Sequence, residues 1–175
     1  LIIKPHVKKL VYIDDLNKFI YPVDILINSN ITAEYMNYKK YSEDETMLLG
    51  LKYNLLREEF INLPKKEIKP KVKEIMVTTG GTDPFNMTVR ILYWLLNDKK
   101  IKLLTYHVIV GKGFQNKEEL KIISKLNPNV ILYENIKKIS EIMLRSDIAI
   151  SAGGVTLYEL LACGTPTLAF IMAEN

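Results

Sequence analysis

The fold is decided by the stretch Ile148-Ala-Ile-Ser-Ala-Gly-Gly-Val-Thr-Leu-Tyr-Glu-Leu-Leu-Ala-Cys-Gly-Thr-Pro166. Its apolar beginning predicts a buried strand over 147–151. A Gly-Gly turn follows, and the apolar spacing over 156–163 then predicts a helix that stops at Gly164. A buried strand, a glycine turn and a helix make one unit of an α/β domain with a parallel sheet.

The same alternation of strand and helix runs through the second half of the sequence. Further strands are predicted at 74–79, 103–110, 130–133 and 166–170, and further helices at 117–126 and 137–145. A helix is also predicted after Gly80-Gly81-Thr82, with Asp83 as its N-cap and Pro84 at its first position. Apolar strands separated by helices predict a Rossmann-like parallel sheet covered on both faces. Ligands of such sheets bind at the carboxyl ends of the strands, where the chain order reverses, and both Gly-Gly turns are predicted at such ends.

Residues 1–60 show a different pattern. They contain three strand-like runs, at 10–13, 24–28 and 47–50, with too few helical segments to cover a sheet. We interpret them as the C-terminal part of an N-terminal α/β domain, and we expect the chain to be a piece of a longer protein. The segment 61–73, with two Pro and five Lys, is predicted to be a linker. Residues 74–175 are predicted to be an incomplete Rossmann-like C-terminal domain.

The composition is that of a globular protein. Of the 175 residues 48% are hydrophobic and 25% are charged, and no apolar run approaches the roughly 20 residues of a membrane span. The single Cys163 and the lack of a secretion-signal pattern favour a reducing, cytoplasmic setting. The net charge of +4 comes largely from Lys, and the lysines of 61–73 have no aromatic residues between them. They therefore indicate a solvated linker and no nucleic-acid partner.

The two glycine turns suit a phosphate ligand. Each presents backbone N–H groups and the positive end of a helix dipole at the carboxyl end of a strand. A diphosphate needs donors from more than one loop, and two such turns on one sheet edge would supply them. The alternative is that both are only tight turns, with Asp83 as a helix cap.

Glu159 has two interpretations. Thr156 and Glu159 have the spacing of a capping box, in which the carboxylate accepts a hydrogen bond from the backbone at the start of the helix. The functional alternative is that the carboxylate accepts hydrogen bonds from a ribose diol, as acidic residues do in dinucleotide-binding folds.

Three motifs give the sequence a recognisable family character. They are the stretch 148–166, the stretch Val77-Thr-Thr-Gly-Gly-Thr-Asp-Pro84, and Leu48-Leu-Gly-Leu-Lys-Tyr-Asn-Leu-Leu-Arg-Glu-Glu-Phe60. Together they resemble the UDP-sugar hydrolases of pseudaminic acid biosynthesis and the related spore coat polysaccharide biosynthesis proteins. More distantly, the chain resembles the N-acetylglucosaminyltransferase of peptidoglycan precursor synthesis. The resemblance implies a GT-B architecture, with two Rossmann-like domains facing a cleft and UDP held mainly by the C-terminal one.

The resemblance also implies residue roles. It assigns Glu159 to the ribose, and it assigns Asn175 to the first position of an Asn-Gln pair that faces the cleft. It implies a UDP-sugar partner and hydrolysis that releases UDP from a diacetamido-trideoxy hexose. An inverting glycosyltransferase of the same fold and a non-catalytic nucleotide-sugar binding module remain alternatives. The residues implied to contact the phosphates are Gly80, Gly81, Thr82, Gly153, Gly154 and Thr156.

The general base of these hydrolases is a His in a glycine-rich loop near the start of the N-terminal domain. No residue here matches it, so we expect the catalytic His outside this chain and the chain alone to be inactive. His6 and His107 are interpreted as structural. Without His or Cys clusters or an Asp-x-Asp motif, the site is predicted to need no metal and no cofactor.

Two further segments follow predicted strands. Asp14 and Asp15 could reach the cleft, or they could form a turn or a helix cap. The loop Gly111-Lys-Gly-Phe114 could border the uracil or the sugar.

Overall fold

The strands of the computed structural model, which describes residues 2–172, belong to two separate parallel sheets. Each sheet lies in its own structural unit, and the boundary between the units falls after Leu55. The first unit contains β1 (Val11–Ile13), β2 (Ile25–Asn28) and β3 (Thr46–Leu49), in the order β1-β2-β3. The three strands predicted in this part are confirmed, each within a residue of its predicted bounds.

The second unit contains a five-stranded sheet with four α-helices between its strands. In chain order it contains β4 (Glu74–Thr78), α1 (Met87–Asn97), β5 (Thr105–Val110), α2 (Lys117–Leu126), β6 (Val130–Glu134), α3 (Ile139–Arg145), β7 (Ile148–Ala152), α4 (Val155–Ala162) and β8 (Thr167–Phe170). All its strand pairs are parallel, in the order β6-β5-β4-β7-β8. The predicted Rossmann-like sheet is therefore confirmed. The chain order reverses between β4 and β7.

Successive residues of the central strands pack on opposite faces of this sheet. On β4, Val77 belongs to one core cluster and Met76 to the other; on β5, Val108 and Ile109 divide in the same way. One cluster contains Leu92 of α1 and Leu120 of α2, and the other contains Met143 of α3 and Leu160 of α4. Helices therefore cover both faces of the sheet, as the continuous apolar strands predict.

The start of α1 differs from the prediction. Asp83 does cap the first turn, because its carboxylate accepts hydrogen bonds from the N–H groups of Met87 and Thr88 at 2.7 and 2.8 Å. Asn86, however, has a left-handed backbone with φ 54°, which an α-helix cannot include. The helix consequently begins at Met87, and the predicted start at Pro84 is wrong.

The end of α4 agrees with the prediction. Gly164 has a positive φ of 66°, and its N–H donates to the carbonyl of Leu161 at 2.9 Å. The N–H of Thr165 donates to Leu160 at 3.0 Å. These bonds satisfy carbonyls of the last turn, which is the common way for a glycine to end a helix.

Two lysines of the segment 61–73 contact other parts of the second unit, to which this segment belongs. The Lys66 ammonium donates to the carbonyls of Met143 and Leu144 at the end of α3. The Lys69 ammonium lies 2.9 Å from a carboxylate oxygen of Asp147. Carbonyls at a helix C-terminus attract the Lys66 cation, and Lys69 forms an ion pair with a carboxylate. The interpretation of these lysines as solvated is therefore wrong for these two side chains.

Candidate functional site

The two glycine turns leave the same edge of the five-stranded sheet. β4 and β7 are neighbours, and Thr78 lies opposite Ser151 in their register. The turns that follow these strands therefore lie side by side at the carboxyl edge, where the chain order reverses. Such a position is where open α/β sheets bind their ligands. The predicted placement of both turns is confirmed.

The first turn leaves room for a close approach to its backbone. A Cβ atom on Gly80 or Gly81 would meet no atom of the other described residues within 4 Å, the adjoining residues of the chain aside. Gly80 needs to be a glycine because its φ is +88°. Gly81 has no such φ, so neither backbone conformation nor packing accounts for its missing side chain.

The loop after β5 holds this turn in place. The N–H of Gly113 donates to the carbonyl of Gly81 at 3.0 Å. A Cβ on Gly111 would lie 2.4 Å from the same carbonyl oxygen and 2.6 Å from that of Gly80. Only a glycine fits at this backbone-to-backbone contact. The loop therefore borders the first glycine turn, and Thr82 packs close to Gly113.

The second turn leads directly into α4. The N–H of Gly153 donates to the carbonyl of Phe170 at 2.9 Å, so this group is used within the sheet. Gly154 has a φ of +138°, and within residues 2–172 a Cβ there would meet no atom closer than 4 Å beyond its chain neighbours. Within the described residues no side chain caps the N-terminus of α4. In its first turn the N–H of Leu157 donates to the carbonyl of Gly154 at 3.0 Å, and the positive end of the helix dipole lies at the second glycine turn.

Glu159 does not form the capping box. The N-cap of α4 is Gly154, so Thr156 lies inside the helix and Glu159 comes too late to reach back to the N-cap. Its carboxylate instead accepts two hydrogen bonds on Oε1, from Nε and Nη2 of Arg57 at 3.2 and 3.0 Å. The capping alternative is therefore wrong. Glu159 is 8% exposed and lies within α4, the helix that follows the second glycine turn.

Arg57 is the residue of this region to which the sequence analysis gave no role. It lies in one of the three family motifs, but 102 residues separate it from Glu159, and no local pattern links the two. Two features of the sequence could have drawn attention to Arg57. It stands beside two acidic residues, Glu58 and Glu59, and it lies in a family motif that has neither the strand nor the helix period.

The remaining candidates lie in other surroundings. His107 is buried in β5, with Nδ1 2.9 Å from the Tyr133 hydroxyl and Nε2 3.5 Å from Glu74 Oε2. Burial lowers the pKa of His107, against the opposing effect of Glu74. Since Glu74 begins β4, His107 lies toward the amino side of the sheet, which agrees with a structural role. His6 is exposed in a short 3-10 turn of the first unit.

Asp14 forms a turn after β1. Its carboxylate accepts hydrogen bonds from the N–H of Asn17 at 2.8 Å and from the hydroxyls of Tyr21 and Tyr38. Burial alone would raise the pKa of Asp14, but these donors hold it below the usual value. The turn alternative is therefore the one that the structure supports.

Several other predictions concern metals, membranes and the last residue. No group of three or more His, Cys, Asp or Glu side chains among residues 2–172 is arranged to hold a metal ion. In the same part of the chain, no helix is long and apolar enough to cross a membrane. Asn175 lies outside the described residues, and its role stays a prediction.

Comparison with known proteins supports the family resemblance. The chain is 31% identical over 95% of its length to the uncharacterized protein MJ1062 of Methanocaldococcus jannaschii. It is 24% identical over 79% of its length to the spore coat polysaccharide biosynthesis protein SpsG of Bacillus subtilis. It is 28% identical over 99% of its length to the pseudaminic acid cytidylyltransferase and UDP-2,4-diacetamido-2,4,6-trideoxy-beta-L-altropyranose hydrolase of Helicobacter pylori. The chain spans 36%, 39% and 31% of these three relatives.

The fold and the family follow from two further comparisons. The crystal structure of the pneumococcal O-GlcNAc transferase GtfA in complex with UDP and GlcNAc superimposes with a TM-score of 0.52 and 14% identity, over 85% of this chain and 30% of that one. This likeness confirms the predicted GT-B type of α/β fold. Residues 74–175 match the glycosyltransferase family 28 C-terminal domain, and the chain therefore belongs to that family.

Proposed function

We propose that the second unit binds the UDP part of a nucleotide sugar, with the diphosphate at the two glycine turns and the ribose at Glu159. The observation that carries this proposal is the position of the turns, side by side at the point where the chain order reverses. Two relatives add support, since one is named as a UDP-sugar hydrolase and the other as a polysaccharide biosynthesis protein.

The proposed diphosphate contacts use backbone groups. The open approach to Gly80, Gly81 and Gly154 allows a phosphate oxygen close to the main chain. The N-terminus of α4 adds a helix dipole of the right sign, and no side chain of the described residues caps it. Thr82 and Thr156 would supply hydroxyl groups next to these turns. Gly153 would contribute only its small size, because its N–H already donates to Phe170.

We propose that the whole protein hydrolyses a UDP-linked diacetamido-trideoxy hexose in polysaccharide or nonulosonic acid biosynthesis. Water would attack the anomeric carbon, the bond from that carbon to the diphosphate oxygen would break, and UDP would leave. The proton of the attacking water would go to a general base, for which the family resemblance implies a His in a glycine-rich loop that no residue of this chain matches. The residues of this chain would stabilise the charge that develops on the leaving diphosphate, where loss of a single donor typically costs roughly 3 to 4 kcal/mol of barrier.

An inverting transfer of the sugar to an acceptor is the second candidate. The match to the glycosyltransferase family 28 C-terminal domain favours it. Hydrolysis and transfer require the same UDP contacts, so the assay must separate them. The full-length protein is given the nucleotide sugar with and without candidate acceptors. Release of UDP without an acceptor supports the hydrolase, and strict dependence on an acceptor supports the transferase.

Nucleotide binding itself is tested by calorimetric titration of the purified chain. We expect saturable binding of UDP, weaker binding of UMP because it lacks the second phosphate, and weaker binding of ADP because it lacks the uracil. Equal affinities for UDP and UMP would remove the diphosphate assignment. Absence of binding for all three would contradict the proposal as a whole.

A further inference from the structure

Arg57 lies between two largely buried carboxylates. Its Nε and Nη2 donate to Glu159 Oε1 at 3.2 and 3.0 Å, and its Nη1 lies 2.9 Å from Glu59 Oε1. The side chains of Glu159 and Glu59 are only 11% and 13% exposed. A guanidinium has donors on three nitrogens in one plane, so it can hold two carboxylates at once in a fixed geometry.

Arg57 is itself held from two other directions. Glu59 Oε2 accepts a hydrogen bond at 3.0 Å from the N–H of Ser140, in the first turn of α3. The guanidinium carbon also lies 5.3 Å from the centroid of the buried Phe60 ring, a distance at which a cation is attracted to the ring face. The position of the guanidinium is therefore also fixed by contacts that do not involve α4, namely with Glu59, which is bound to α3, and with Phe60.

We infer that Arg57 is a positioning residue that orients Glu159 for the ribose, an inference that rests on the proposed function. Both hydrogen bonds from Arg57 are accepted by Oε1, which leaves the acceptor capacity of Oε2 for a hydroxyl of the ribose. Fixing one oxygen of a carboxylate also fixes the direction of the other. Arg57 acts through Glu159 and needs no contact with the nucleotide.

The test compares UDP with 2′,3′-dideoxy-UDP, which lacks both ribose hydroxyls. We expect the unaltered chain to bind UDP roughly 10-fold or more tightly than the dideoxy compound, the size of a lost hydrogen bond to a charged group. In Arg57→Ala this ratio should fall close to one, while the affinity for 2′,3′-dideoxy-UDP stays unchanged. Glu159→Gln should lower the ratio as well, and the double variant should show no additional loss, because the two residues act as one unit.

Arg145→Ala is the matched control. Arg145 also donates two hydrogen bonds to one glutamate, through Nε to Glu74 Oε2 at 3.0 Å and through Nη2 to Glu74 Oε1 at 3.3 Å, and its side chain is similarly exposed. Glu74 begins β4, so this pair lies at the opposite end of the strand from the first glycine turn. The control should keep the full preference for UDP. Arg57→Lys keeps the charge without the planar donors, and it should give an intermediate ratio even if Arg57→Ala does not fold.

The results separate this inference from the proposal on which it rests. If the unaltered chain does not bind UDP, the proposed function fails. If it binds UDP but does not discriminate against the dideoxy compound, the ribose role of Glu159 and the positioning role of Arg57 fail together. If discrimination is present and remains complete in both Arg57→Ala and Arg57→Lys, only the role of Arg57 is overturned.

Discussion

Substitution of Gly111 by alanine should disturb the first glycine turn from outside the ligand space. The new Cβ would lie 2.4 Å from the carbonyl oxygen of Gly81, so the two loops would have to separate by about 0.6 Å to reach even a very tight 3.0 Å contact. Overpacking of this kind costs typically 1 to 3 kcal/mol. Loss of the hydrogen bond from Gly113 to Gly81 would add about 1 kcal/mol. A flexible glycine replaced by alanine returns roughly 0.4 to 1 kcal/mol through the unfolded chain.

The net expectation for Gly111→Ala is a decrease of about 1 to 3.5 kcal/mol in the free energy of unfolding. Urea unfolding followed by far-ultraviolet circular dichroism measures this quantity, and calorimetry measures UDP affinity on the same preparation. UDP binding should weaken as well, because the displaced turn contains the proposed phosphate contacts.

Gly81→Ala is the matched comparison. Its Cβ would meet no atom within 4 Å in the part of the chain that the structure describes, chain neighbours aside, so the free energy of unfolding should stay unchanged or rise slightly. UDP affinity should nevertheless fall, because the methyl group would occupy the space next to the backbone. Unaltered stability of Gly111→Ala would refute the packing of the two loops. Unaltered UDP affinity of Gly81→Ala would refute the close approach of the phosphate.

Three further predictions concern titratable groups of the second unit. Burial of the Asp147 carboxyl would raise its pKa, but Lys69 and two backbone N–H groups hold the pKa at about 2. The lowered pKa stabilises the folded chain by on the order of 2 kcal/mol. This stabilisation is present above the unfolded pKa of 3.8 and is lost as the pH falls toward 2. Asp147→Asn should remove it, and acid titrations of both proteins in urea that coincide would contradict this. Burial lowers the pKa of His107 from 6.5, so the protonated form is disfavoured in the folded state. Thermal stability should therefore decrease as the pH falls below 6.5. His107→Gln should flatten this pH dependence, and an unchanged slope would show that another group causes it. Burial raises the pKa of the Cys163 thiol to about 11, so a disulfide reagent should react with it only after unfolding, and rapid reaction of the native chain would argue against the buried position.

The fold followed from the sequence because its signals are local. Helix α2 has the predicted bounds of Lys117–Leu126, since its apolar residues recur on one face and its first turn is acidic. The strands were found to within two residues, because each is a short apolar run next to a turn. The start of α1 was not predictable, because asparagine also occurs inside helices. Nothing in the local sequence shows that Asn86 adopts a left-handed backbone.

The candidate site was predictable only in part. The glycine turns are visible in the sequence, and their adjacency follows from the reversal of strand order. The partner of Glu159 was not predictable, because Arg57 lies 102 residues away in a segment without regular structure. The contacts of Lys66 and Lys69 were not predictable either, since a lysine-rich segment has the composition of a solvated linker whether or not some of its lysines bind a carbonyl or a carboxylate.

The adjacency of β4 and β7 also determines when the site can form. These strands are neighbours in the sheet, although the hydrogen-bonded residues Glu74 and Asp147 are 73 residues apart in the chain. Parallel pairing over such a distance is slow, because a long loop must close before any contact stabilises it. At synthesis rates of about 5 to 20 residues per second, β7 would leave the ribosome roughly 4 to 15 s after β4. During that interval the nascent chain can fold β4, β5 and β6 together, but it has only one of its two glycine turns.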